Sequence, residues 1–138
     1  ESLSLRRGFG EKRGLALTLV ELATVEIGDG RPDAAGPLLS DGTALYEETG
    51  DQRGLVYAVE ARAQLASACD DHELALILAA AAAAERERLG TPLLSVERAP
   101  VDAVVERGRK ALGPEKAEAA ERDGWAMPRD RMLELIRI

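Results

Sequence analysis

Two stretches decide the fold: Gly10-Glu11-Lys12-Arg13-Gly14-Leu15 and Gly50-Asp51-Gln52-Arg53-Gly54-Leu55, followed by a third anchor at Leu89-Gly90. The spacing is constant, since 50 − 10 = 40 and 90 − 50 = 40. Laying Gly10–Leu39 over Gly50–Ala79 puts Ala23 on Ala63, Ala35 on Ala75 and Leu38 on Leu78, and running backward puts Leu5 on Leu45. Self-similarity at a period of about 20–50 residues marks stacked arrays, whose units cannot bury their apolar faces alone.

Each unit reads as a helical hairpin. In the first, Leu15, Leu19, Leu22, Ala23 and Glu26 follow helical spacing, with Glu26 the polar exception. Gly28-Asp29-Gly30 breaks that helix, and Pro32 suits the first turn of the next, where a missing N–H costs nothing. Ala35, Leu38, Leu39, Gly42, Leu45 and Tyr46 give its apolar stripe, and Gly50 is expected as a left-handed C-cap. In the second unit Leu55, Val59, Ala63 and Ala66 line one helix, Asp70 and Asp71 are N-cap candidates, and Leu74, Ala75, Leu78, Ala79 and Ala82 line the next up to Gly90. Alanines at positions 23, 35, 63 and 75 fall where paired helices should touch, allowing close axes. Gly14 and Gly54 are expected to admit a neighbouring helix. A phosphate-loop reading of Gly50–Gly54 fails for want of a preceding strand and a Gly-Lys-Ser/Thr ending.

The expected organisation is residues 1–90 as repeats, with a half-hairpin over 1–9 and hairpins over 10–49 and 50–90, then 91–138 as a helical cap of the same domain. With Gly10 aligned on the helix-ending Gly50 and no initiator Met, residues 1–9 read as the second half of a hairpin whose first half lies upstream. The alternative is a short capping segment with a processed start. In the cap, Ser95 could start a helix toward Leu112, but Pro100 would interrupt its ladder, so a start near Ala99 is preferred. Gly113 ends that helix, Pro114 begins a short one through Arg122, and Pro128 begins the last, with Met132, Leu133, Leu135 and Ile136 as its buried face. Trp125 is expected to plug the end of the array, since terminal units must differ in order to seal it.

The slots held by Leu19, Leu22, Ala23, Ala35 and Leu39, and by Val59, Ala63, Ala75 and Ala79, resemble the tetratricopeptide repeat. Arg62 stands where a large apolar residue is usual and Glu26 where an aromatic is common, and the period is longer than the usual repeat. The order Ala79–Ala84, Glu85–Pro92, Glu97-Arg98, Ala111-Leu112-Gly113 and Trp125 is similar to the C-terminal ends of bacterial regulators that combine a STAND ATPase module with such repeats, many with a LuxR-type helix-turn-helix. The resemblance implies an all-α fold: antiparallel hairpins stacked as a right-handed α-α solenoid with a C-terminal helical cap. It also implies a non-enzymatic protein-interaction or sensing role within a larger transcriptional regulator, in the cytoplasm. Carried over residue by residue, the partner-binding groove is Leu17, Val20, Thr24 and Ile27 in the first copy and Tyr57, Glu60, Gln64 and Ser67 in the second. Leu17 and Val20 could instead pack on an upstream repeat.

Composition narrows the alternatives. The net charge of −7 lacks the basic face that phosphate backbones demand, so direct nucleic-acid binding by this segment is not expected. One Cys and one His, Cys69 and His72, cannot form an intrachain disulfide or a structural zinc site. Cys69 is expected as a half-buried structural thiol. The apolar run near Ala79 is too short for a membrane span. No catalytic constellation is present, and no cofactor is implied. The expected partner is a protein or peptide, or the rest of the same chain. Self-association as a homodimer and a small-molecule pocket between hairpin and cap remain as alternatives.

Overall fold

The computed structural model describes the backbone of residues 2–137 and the side chains of residues 7–137. Among the described residues there are seven α-helices and no strand: α1 (Ser2–Gly28), α2 (Pro32–Thr49), α3 (Gln52–Ala68), α4 (His72–Leu89), α5 (Ser95–Leu112), α6 (Pro114–Trp125) and α7 (Arg129–Ile136). None is long and apolar enough to cross a membrane.

Helices α1 and α2 run antiparallel. Glu26 meets Arg31 at the turn, Val20 meets Gly42 midway, and Lys12 meets Glu48 at the far end. Helix α3 packs on both members of this pair and on α4; α5 then packs on α3 and α4, and α6 chiefly on α4. The expected contact alanines Ala23, Ala35, Ala63 and Ala75 are all fully buried.

The helix ends obey the repeat. Gly50 and Gly90 are left-handed C-caps at φ 67° and 68°. Beyond each, the next N–H reaches back to close the turn: Asp51 N to Tyr46 O and Thr91 N to Arg86 O, both at 3.0 Å. The same closure ends α1 and α3, where Arg31 N bonds Glu26 O and Asp71 N bonds Ala66 O. Gly30 supplies the left-handed residue in the first case (φ 79°) and Asp70 in the second (φ 62°). Asp71, rather than Asp70, is therefore the N-cap of α4, its carboxylate accepting from Leu74 N at 3.2 Å.

Gly10 departs from the repeat. Residues 2–9, expected as a separate half-hairpin ending at Gly10, run unbroken into α1. A glycine only permits a break. At Gly50 the stop is completed by Asp51, whose short carboxylate accepts from Gly54 N at 3.1 Å and starts the next helix. Gly10 is followed by Glu11, which is not an N-cap residue, so the helix continues.

The buried stripe of α1 is also rotated from expectation. Ala16, Val20 and Ala23 are buried, whereas Leu15 is 52% exposed and Leu22 and Val25 are about as open. The cap differs in three places. Helix α5 starts at Ser95 and carries Pro100 inside, its first turn closed by Glu97 Oε1 accepting from Leu94 N at 3.0 Å. Helix α6 runs past Arg122 to Trp125 because Gly124 faces α4 so closely that an added Cβ would lie 2.2 Å from Ile77 O. The indole, the next residue round the helix, is thereby turned outward and is 52% exposed, so Trp125 plugs nothing. Met132 and Ile136 of α7 are buried in its stead, within the core built by α3 and α4. Cys69, expected half-buried, sits at the C-cap of α3 and is exposed.

Candidate functional site

Parallel faces of α1 and α3, walled by the α4–α5 linker and the first turns of α5, enclose a groove of about 780 Å³. Of the eight positions expected to line such a groove, Leu17, Thr24, Tyr57, Glu60 and Gln64 do so. Leu17/Tyr57 and Thr24/Gln64 are partners across the forty-residue offset, so the two copies contribute matching rungs. Thr24 and Tyr57 both line the groove, and the Thr24 hydroxyl donates to Glu21 O at 2.7 Å.

The other three positions fall elsewhere. Val20 is fully buried, its Cγ2 against Gly42 of α2. Ile27 packs half-buried into the α1–α2 core, and Ser67 is buried. The reason is geometric. From Leu17 to Ile27 is ten residues, which at about 100° per residue falls about 80° short of three whole turns. A row chosen at that spacing slides from the groove onto the core face. Glu21, one turn after Leu17, is the groove residue that the spacing should have selected. Leu93, Glu97, Pro100 and Val101 also line the groove, brought in from beyond the repeats by tertiary packing, which no local period signals.

Glu60 is only 3% exposed and does not present a free carboxylate. Its oxygens accept from Arg86 Nε at 2.6 Å and Nη2 at 2.7 Å, a bidentate pair. Arg86 Nη1 also donates to Thr91 O at 3.0 Å, so one guanidinium fixes both α3 and the linker leading to α5. Bonding to Glu60 drives the Arg86 pKa further up. Tyr57 is pushed above the ordinary phenol range, first by burial and then by the negative charges of Glu21 and Glu60. At the groove's end Tyr46 is pushed up to about 12, again chiefly by burial and then by Asp51. Both rings are neutral hydrogen-bonding surfaces at any physiological pH.

No family model, curated protein or solved structure matches this chain.

A second cavity, of about 1120 Å³, lies between α4, α5 and α6. Ala79, Ala80 and Ala83 form its floor, Val101 and Val105 one wall, and Trp125 stands at its edge. Glu60, Arg86, Leu93 and Val101 border both cavities. Among the described residues no group of three or more His, Cys, Asp or Glu is placed to hold a metal ion.

Proposed function

We propose that this chain is a non-enzymatic protein-interaction module, a TPR-like stack of helical hairpins that holds a partner segment in the groove between α1 and α3. The observation that carries the reading is the convergence of matching positions from both sequence copies, Leu17 with Tyr57 and Thr24 with Gln64, on one open face. A regular ladder of mixed apolar and polar side chains on rigid helices suits an extended or helical peptide. The contacts of α5 with both α3 and α4 are those a third layer would make, which supports the solenoid reading of the architecture. The resemblance to the repeat regions of STAND-type regulators supports reading such a module as part of a larger signalling protein.

The test is selection of phage-displayed peptides on the chain, followed by titration of the selected peptides against Leu17→Asp/Gln64→Ala. Binding should weaken at least ten-fold at unchanged helical circular dichroism. Peptides bound equally by the variant would place their site elsewhere and end the groove reading.

A specific observation favours one alternative, small-molecule sensing. The α4–α5–α6 cavity is apolar-floored and carries the chain's single tryptophan at its edge. Trp125 emission should shift on titration with an apolar ligand entering that cavity, and Ala83→Asp should abolish the shift. A second alternative, self-association, rests on the exposed Leu15, Leu22 and Val25 of α1.

A further inference from the structure

The groove's charges do not cancel evenly. Arg13 pairs with Asp51 at 3.3 Å, and Arg86 pairs with Glu60 at 2.6 Å. What remains on the lining is Arg53 in the first turn of α3, against Glu21 of α1 and Glu97 of α5. Glu21 and Glu97 share the groove lining with Tyr57, so the phenol has uncompensated carboxylates on walls contributed by two helices, α1 and α5. Glu97 spends one acceptor site on Leu94 N and keeps the rest of its carboxylate capacity. Around this point the lining is apolar: Leu17, Leu93 and Val101. An aromatic ring edged by carboxylates and flanked by aliphatic side chains attracts a cation that carries an apolar stem. The chain's overall charge of −7 adds long-range attraction of the same sign.

Resting on the groove reading above, we infer that the partner segment is basic and amphipathic, and that it seats an arginine or lysine side chain against the Tyr57 ring between Glu21 and Glu97. The aliphatic stem of that side chain and its apolar neighbours lie along Leu17, Leu93 and Val101. Arg53 turns away a second cation at the α3 N-terminus, so the preferred segment places its charge off centre.

The experiment uses fluorescence anisotropy with the full chain and two labelled twelve-residue probes, one of repeated Ala-Leu-Arg and one of repeated Ala-Leu-Glu. The arginine probe should bind and the glutamate probe should not. Glu21→Gln/Glu97→Gln should weaken the arginine probe about five-fold or more, as two partly solvated charge pairs allow. The Gln at position 97 still accepts from Leu94 N and so keeps the helix start. A charge-matched control, Asp41→Asn/Glu115→Gln on exposed positions of α2 and α6, should leave binding within about two-fold. Equal loss in the control and the groove variant would mean diffuse attraction to an acidic surface, and would overturn the proposal. Equal binding of the glutamate probe, lost on Leu17→Asp, would overturn the charge preference and leave the groove reading standing. Failure of both probes, together with failure of the phage selection, would overturn both.

Discussion

The two copies of the repeat are written alike and live differently. Leu15 and Leu55 occupy the same slot, yet one is half in water and the other is buried. Gly14 and Gly54 match, yet nothing among the described residues approaches Gly14, while the Tyr46 ring lies where a side chain on Gly54 would be. Val20 and Glu60 match and are both buried, one by aliphatic contact and one as half of an ion pair. Helix α1 has neighbours on one side among the described residues, whereas α3 is enclosed by α1, α2, α4 and α5. The repeat fixes each hairpin's shape; the layer next door fixes which of its faces is dry.

The largest effect that would sharpen this contrast is at Glu60. Glu60→Ala strands the mostly buried Arg86 and should cost about 3–5 kcal/mol, against about 2 kcal/mol for Val20→Ala in the matching slot, read from urea midpoints. Glu60→Leu/Arg86→Leu should recover most of that loss, because it removes the uncompensated charge. Next come the matched leucines. Leu55→Ala should cost about 2–4 kcal/mol, and Leu15→Ala less than about 0.5 kcal/mol, being a surface change. Equal costs would mean that α1's outer face is covered in solution.

A smaller effect tests the helix ends. Asp70 holds the left-handed position that Gly30 holds in the first copy. Asp70→Gly should raise stability by about 0.5–1 kcal/mol by relieving that conformation; no gain would mean that the Asp70 contact with His72 Nε2, at 3.6 Å, offsets it. The smallest is a pH effect. Glu26 and Glu85 are held below the ordinary carboxylate range, each first by a hydrogen bond from an arginine, Arg31 and Arg88 respectively. A depressed folded pKa stabilises the fold above the unfolded value of about 4.3 and loses that contribution as pH falls through the folded one. Arg31→Gln/Arg88→Gln should therefore flatten the stability profile below about pH 4.5, with little change in helicity at neutral pH.

Sequence alone revealed the helical character of the chain, the left-handed caps at Gly50 and Gly90, the proline helix starts at Pro32 and Pro114, and the contact alanines. All of these are settled within a few residues of chain or by the touch of two consecutive helices. What it did not reveal depends on distant partners. Gly10 looks like Gly50 until one asks whether the next residue can cap. Trp125 looks like a plug until Gly124 claims the contact face. Part of the groove, Leu17, Thr24, Tyr57, Glu60 and Gln64, was legible because the resemblance to a known helical repeat carries those positions over. The far wall, Leu93 to Val101, was not, because it comes from a segment outside the repeat.

The crowding around α4 has a consequence for engineering. Helix α6 presses Gly124 against its backbone, and α5 brings Gly108 against Leu76. Five of the six residues at 79–84, Ala79, Ala80, Ala81, Ala82 and Ala84, are wholly or partly out of solvent. Enlarging this helix would lever two others away. Surface redesign is therefore best written on the open rungs of α1 and α3, with the alanine helix kept as the spindle about which the rest is assembled.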